Sequence, residues 1–301
     1  MGPTLAVLAR RAADEAGHPL EIIAVSRFND AQTRTWLETR GVTTVQADLL
    51  KREDVEALPD SANVLYLVGM KFGTRENPSL TWAVNTLAPA NAAARYRSAR
   101  IVALSTGNVY PLVPVESGGA TETTPLTPLG EYANAAVARE RIFEHFSREN
   151  GTAMALLRLN YAVEYRYGVL VDIARKVWAG EPIDVSNGYF NCIWQGDANE
   201  QILRALTLCR TPATAWNLTG HGQVKVREVA EKFAQLLGRP VQFTGVETGT
   251  ALLSNSSRLC AELGPPETSV DAMIGGIVGW VKAGGRFLNK PTHFEVRDGG
   301  Y

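Results

Sequence analysis

Two stretches of this 301-residue sequence carry side chains suited to proton chemistry. Thr106-Gly107-Asn108 closes the apolar run Ile101-Val-Ala-Leu-Ser105, and Tyr132 opens an amphipathic stretch further on. A phenol ordinarily titrates near 10, so it is a poor base at neutral pH unless a neighbouring cation favours its anion. One helical turn beyond Tyr132 there is no such cation: Asn134, Ala135, Ala136 and Val137 fill those positions, and Arg139 lies two turns away. A guanidinium swung back from there is bulkier than an ammonium and needs different partners. Both candidates also have structural readings, Tyr132 as a tyrosine capping the core and Thr106 as a strand-end hydroxyl bonded to backbone.

Other polar groups are more diffuse. Ser26-Arg27-Phe28 follows a short apolar run and places a hydroxyl and a guanidinium where a phosphate could be met by charge-assisted hydrogen bonds; the alternative is a solvated arginine at a strand end. Lys71 and Arg75 could reach an anion, and Glu164, Arg166 and Tyr167 form either part of a substrate pocket or an ordinary polar loop. His18, His145, His221 and His293 have no metal spacing, and Cys192, Cys209 and Cys260 are too scattered for a zinc cluster or a disulfide scaffold, so no metal is expected. With 30 basic and 31 acidic side chains, nothing electrostatic favours nucleic acid or an anionic membrane as partner. The apolar runs fall far short of the roughly 20 residues of a membrane span. No secretory signal is expected at the opening, and reduced thiols in a cytoplasmic protein are the simplest expectation.

The elements that must position these residues alternate. Leu5, Leu8, Ala9 and Ala12 recur at helical spacing, with Pro3 suited to a first helical position and Gly17 to the stop. A strand at Glu21–Ser26 and a helix over Asp30–Arg40 follow, then a strand at Thr43–Ala47, a helix at Lys51–Leu58 and a strand at Asn63–Val68. A helix containing Trp82–Arg95 precedes a strand at Arg100–Leu104, and Val169–Ala179 reads as another amphipathic helix. Such alternation predicts an α/β protein with a doubly wound parallel sheet.

Several stretches together resemble the extended short-chain dehydrogenases/reductases, the NAD(P)-dependent sugar epimerase/dehydratase family. Ile101 to Pro111 is similar to that family's active-site strand, and Tyr132-Ala-Asn-Ala-Ala136-Val-Ala-Arg-Glu140 to its Tyr-x-x-x-Lys helix. Ala47-Asp48-Leu49, Asn85, Leu157–Asn160, Ala215–Gly220 and Val226–Ala230 fall in the family's order. The resemblance implies a Rossmann-like sheet with a smaller C-terminal substrate lobe. The cofactor domain is expected over residues 1–154 and the lobe over 155–301, with segments of the lobe returning to the sheet. It implies Tyr132 and Thr106 as the catalytic pair, and Gly2, Ser26, Arg27, Asp48, Leu49, Gly69 and Asn85 around the cofactor. Asn108, Glu164 and Arg166 would stand near the substrate. Ser26 and Arg27 favour NADP over NAD. A nucleotide sugar is the implied substrate, and helices of the cofactor layer, with Ala133, Val137 and Ile142, would form a homodimer.

The sequence departs from the family in three ways. Ala136 replaces the lysine, which puts turnover in doubt and leaves an inactive relative that binds or senses a dinucleotide or sugar nucleotide as the alternative. Gly107 and Asn108 replace the acidic pair of the 4,6-dehydratases. The first strand and most of the glycine turn are missing, with only Gly2 standing for the turn's last glycine. Either the native frame begins upstream of Met1, or the second and fourth strands of the family's order close the gap directly.

Overall fold

The computed structural model describes residues 1–299. In chain order the elements are α1 (Gly2–Glu15), β1 (Ile23–Ser26), α2 (Ala31–Glu38), β2 (Thr43–Gln46), α3 (Arg52–Glu56), β3 (Asn63–Tyr66), α4 (Pro78–Arg95) and β4 (Arg100–Thr106). Then come β5 (Val113–Pro114), α5 (Gly130–Asn150), β6 (Met154–Leu159), β7 (Ala162–Val163), α6 (Val169–Ala179), β8 (Ile183–Asp184), β9 (Tyr189–Phe190) and β10 (Ile193–Trp194). The remainder are α7 (Gln195–Arg204), β11 (Thr214–Leu218), β12 (Val224–Lys225), α8 (Val226–Leu237), β13 (Phe243–Thr244), β14 (Thr250–Ala251), α9 (Ser257–Leu263) and α10 (Val270–Lys282).

The main sheet has the order β11-β6-β4-β3, all parallel. Successive side chains of a strand point to opposite faces, and both faces here are apolar, as a sheet covered twice requires. Val102, Ala155 and Leu157 share one core with Leu5 of α1 and Ala198 and Ile202 of α7. Ile101, Ala103, Met154 and Leu156 share the other with Ala92 and Ala93 of α4 and Phe143 of α5. A third core lies apart from the sheet and gathers α6, α8 and α10 around Phe190, Phe233 and Phe294. Each fully buried side chain of this size contributes about 1.5–3 kcal/mol. The boundary expected at 154 falls at the start of β6, a strand of the main sheet.

Local chemistry sets the ends of the helices that matter for the site. Asn77 caps α4 by accepting from the Leu80 amide at 3.0 Å, and Pro78 fills the first turn, where its missing amide costs nothing. The alanine-rich α5 runs until Gly151, which turns left-handed at φ 70°.

One expectation fails. β1 pairs only with β2, as a separate parallel ribbon, so the second and fourth strands of the family's order do not close on each other. Side chains do the joining instead: Val25 and Val45 of the ribbon pack in a small core with Leu49 and Tyr96, and these two also pack against the core that holds Ile101 and Phe143. Apolar contact tolerates the spacing between ribbon and sheet, whereas backbone pairing demands about 4.8 Å between strands. No helix among the described residues is long and apolar enough to cross a membrane.

Candidate functional site

Several of the residues singled out by sequence stand at or just past the carboxyl ends of parallel strands, where open α/β sheets bind ligands: Ser26 and Arg27 at β1, Asp48 and Leu49 at β2, Gly69 at β3 and Thr106 at β4. At β1, Ser26 lies in register with Gln46 of β2, and the Ala47 amide donates to the Ser26 carbonyl at 3.0 Å. That register carries Asp48 and Leu49 to the same edge as Ser26 and Arg27. Ser26 and Arg27 are exposed. Phe28, next in the chain, sits at φ 45°, a left-handed conformation rare for a bulky residue. Asp30, the acid of this loop, is committed to capping α2: it accepts from the Gln32 amide at 3.0 Å and the Thr33 hydroxyl at 2.6 Å. Asp48 accepts from the Leu50 amide at 3.1 Å, and Asn91 of α4 holds the Leu49 carbonyl at 2.9 Å.

Beyond β3 the structure shows where the side chains of Asn85 and Arg139 go. Asn85 is wholly buried, donating to the Thr81 carbonyl at 2.8 Å and the Met70 carbonyl at 3.2 Å while accepting from Arg139 at 3.0 Å. With every polar atom so engaged, Asn85 braces the loop that would line a cofactor and does not face it. Arg139 does not swing back toward Tyr132 either. Its guanidinium also donates to the Val68 carbonyl at 3.1 Å, directly beneath Gly69. A Cβ at Gly69 would collide with that guanidinium. Gly69→Ala is therefore expected to displace Arg139 from two buried acceptors and cost about 1–3 kcal/mol, read from urea denaturation. Gly2 opens α1, where an added Cβ would meet Leu67 at ordinary contact distance, beside the end of β3.

At β4, Thr106 donates to Asn108 Oδ1 at 2.8 Å and accepts from the Asn108 amide at 3.2 Å, capping the turn Gly107–Val109. α5 packs against this turn. Tyr132 stands in the first turn of α5 with 8% of its surface exposed. Ala136 is fully buried, in a cluster with Val109, Tyr110 and Leu253.

A buried polar network locks α5 to the sheet. Arg158 of β6 grips Glu140 of α5 through Nε at 3.0 Å and a terminal nitrogen at 2.7 Å, and donates to the Tyr110 hydroxyl at 2.7 Å. Ser105 donates to the same carboxylate, and Tyr110 donates to Asn217 at 2.8 Å. Burial works against the Arg158 charge, but the Glu140 contacts outweigh it and hold the guanidinium above its ordinary range. Burial also pushes the Tyr110 phenol up.

Glu164 and Arg166 are paired with each other, 3.0 Å apart, in the turn after β7. Nearby, burial lowers the Lys71 ammonium to about 8, with Asp172 opposing the fall. Burial pushes both Tyr167 and Asp172 up. Asp172 escaped the sequence reading, and Tyr110 and Asn217 were read only as parts of family-like stretches, with no role given. Their partners are distant in the chain, and only the fold brings them together. No group of three or more metal-ligating side chains exists among the described residues.

The sequence from 6 to 185 matches the family profile described as NAD dependent epimerase/dehydratase family. No curated protein matches the sequence. Among solved structures, the chain is similar to UDP-glucose 4-epimerase of Thermus thermophilus in complex with NAD, at 21% identity and a TM-score of 0.73, covering 93% of this chain and 96% of that one. A double mutant of dTDP-glucose 4,6-dehydratase from Streptomyces venezuelae, with NAD, gives 16% identity, a TM-score of 0.77 and 93% coverage of both chains. UDP-glucose 4-epimerase of Thermotoga maritima with UDP-glucose gives 15%, a TM-score of 0.75, and 93% and 96% coverage. At these identities the likeness is one of fold.

Proposed function

This chain belongs to the NAD dependent epimerase/dehydratase family, and from that premise we propose that it is an epimerase or oxidoreductase. It binds a nicotinamide dinucleotide along the carboxyl edge of its strands and acts on a hydroxyl or carbonyl group of a nucleotide-linked sugar. The observation that carries this reading is the seating of α5, with Tyr132 in its first turn, against the turn that Thr106 caps. Neighbours of the same fold solved with NAD and with UDP-glucose support the two ligand classes.

The residues present fit such a cofactor at its adenosine end. Ser26 and Arg27 are exposed at the strand edge, and the Asp30 oxygens are turned to the Gln32 amide and Thr33 hydroxyl. The Ser26 hydroxyl and Arg27 guanidinium would take a 2′-phosphate, Asp48 and Leu49 would flank the adenine, and Gly69 would line the crevice over its Asn85–Arg139 brace. At α1, Gly2 would approach the pyrophosphate, with Pro3 offering no amide there. When bound, the nicotinamide supplies a hydride acceptor or donor. Tyr132 exchanges the proton of the substrate oxygen, and Thr106, released from Asn108, orients that oxygen. Asn108 and the Glu164–Arg166 pair would border the sugar or its phosphates. The absence of an acidic pair after Thr106 argues against 4,6-elimination. The reading includes a cytoplasmic homodimer joined through α4 and α5; Leu80, Trp82 and Leu87 of α4 are exposed, whereas Ala133 of α5 is buried within the chain and is not free to meet a partner.

Fluorescence titration with NADPH and NADH tests the reading. NADPH is expected to bind about tenfold more tightly, the size of one charge-assisted hydrogen bond. Absence of binding by either overturns it. Turnover of carbonyl sugars is then followed by absorbance.

A second reading, a relative that binds these ligands without turnover, is favoured by one observation. The helix position where the family has its cation is the fully buried Ala136. Ala136→Lys would place an ammonium within a closed apolar cluster. It is expected to destabilise the fold by about 3–5 kcal/mol in denaturant titration and to leave turnover no higher. A stable variant with raised turnover would show that an open lysine position had been restored.

A further inference from the structure

With Ala136 at the family's lysine position and Arg139 turned to Val68 and Asn85, α5 presents no cation to Tyr132. Another element brings one toward the same end of the crevice. Lys71 stands in the loop after β3, two residues past Gly69. That loop is held at three carbonyls: Val68 accepts from Arg139 at 3.1 Å, Met70 from Asn85 at 3.2 Å and Gly73 from the Asn77 amide at 3.1 Å. The brace under Gly69 therefore also fixes the backbone next to Lys71.

The Lys71 side chain is half-buried, with its ammonium 5.7 Å from the centre of the Phe72 ring, a cation–π distance. The Phe72 ring meets Tyr167 edge-on, the ring centres 6.4 Å apart. Tyr132 acts electrostatically on the same Tyr167 phenol. Tyr167 thus marks where the loop after β3 and the first turn of α5 converge. The charged and titratable groups around Lys71 are Asp172 of α6, Tyr167 in the turn before α6, and Lys290, whose ammonium is also 5.7 Å from the Phe72 ring centre, with Tyr132 beyond Tyr167. Asp172 spends one carboxylate oxygen on the Thr292 amide and hydroxyl, both at 2.7 Å. An ammonium partly withdrawn from water attracts an incoming anion more strongly than an exposed one, because less solvent screens it.

We propose that Lys71 is the ammonium that holds the bound dinucleotide beside Tyr132, supplied by the loop after β3 in place of the lysine that α5 lacks. The proposal rests on the dinucleotide site inferred above. It gives a role to the Asn85–Arg139 brace, which positions the loop carrying this cation.

The test is NADPH titration of the unmodified chain, Lys71→Met and Lys71→Arg across pH. At pH 7, Lys71→Met is expected to bind about tenfold or more weakly, the size of one charge-assisted hydrogen bond. Burial lowers the Lys71 ammonium to about 8, so the affinity of the unmodified chain is expected to be level below that pH and to fall above it, as the proton that favours the anion is lost. A guanidinium keeps its proton, so Lys71→Arg is expected to hold its affinity up to about pH 10. Equal affinities of Lys71→Met and the unmodified chain, with or without a shift in the urea midpoint, overturn the proposal and leave the dinucleotide site standing. A fall that persists in Lys71→Arg also overturns it; the Met1 amino group, which burial lowers too, is the competing source. Should Lys71→Met not fold, the pH profile of Lys71→Arg decides alone. Absence of binding by the unmodified chain removes the dinucleotide site, and this role with it.

Discussion

Tyr132→Phe is expected to lower turnover by about 10²–10⁴-fold while leaving the affinity for NADPH nearly unchanged. The substitution removes one oxygen and keeps the ring that fills the first turn of α5, so the helix seat is preserved. The two roles open to this residue then separate. A phenol that exchanges a proton with substrate loses rate, with little change in the urea midpoint. A tyrosine that only caps the core loses stability, with no specific effect on rate. Thr106 is a poorer probe because its hydroxyl also caps the turn after β4 by accepting from Asn108 at 3.2 Å. Removing it mixes folding with chemistry. Kinetics of the phenylalanine variant beside its denaturation curve decide between the roles. Unchanged turnover would remove Tyr132 from the reaction.

The sequence made legible those parts of the molecule whose signals are local. The strand expected at Arg100–Leu104 extends two residues to Thr106, and the helix expected at Val169–Ala179 is found over those residues. Both follow from apolar periodicity together with their turn residues. The strand expected over Asn63–Val68 ends at Tyr66, because an apolar run does not reveal where pairing stops. The sequence showed that the family's first strand is missing, but not whether β1 and β3 would pair across the gap, since pairing partners are a global property. The same limit applies to polar side chains. Asn85 had the right place in the chain for a cofactor contact, yet its amide is consumed by Thr81, Met70 and Arg139. Arg139 had the charge to replace a lysine, but its destination depends on Gly69, which leaves the space under the loop. Tyr110 and Asn217 meet across 107 residues. No periodicity encodes which buried donor meets which buried acceptor. It encodes only which face turns inward.

A stability effect as large as that of Ala136→Lys is expected at Arg158. Its side chain and that of Glu140 are 5% and 1% exposed. Arg158→Met would leave the Glu140 carboxylate buried with Ser105 as its remaining partner in the clamp, and would remove a donor from Tyr110. An uncompensated buried charge of this kind costs about 3–5 kcal/mol, and Glu140→Leu should cost a similar amount by stranding the guanidinium. The double variant should cost well under the sum, because neither charge is then left unpaired. A denaturant cycle over the four proteins measures the difference, and additive losses would show that the pair is not coupled. The same cycle separates stability from positioning. Glu140 lies about two turns beyond Tyr132 on α5, and Ser105 adjoins Thr106 on β4, so the clamp sets the depth of one catalytic candidate against the other. A displacement of about 1 Å between reacting groups is enough to lose roughly 10² in rate. If the clamp positions Tyr132, the double variant regains stability while its turnover stays low. If turnover returns with stability, the pair only holds the fold, and the placement of Tyr132 is fixed by the apolar seat around Ala136.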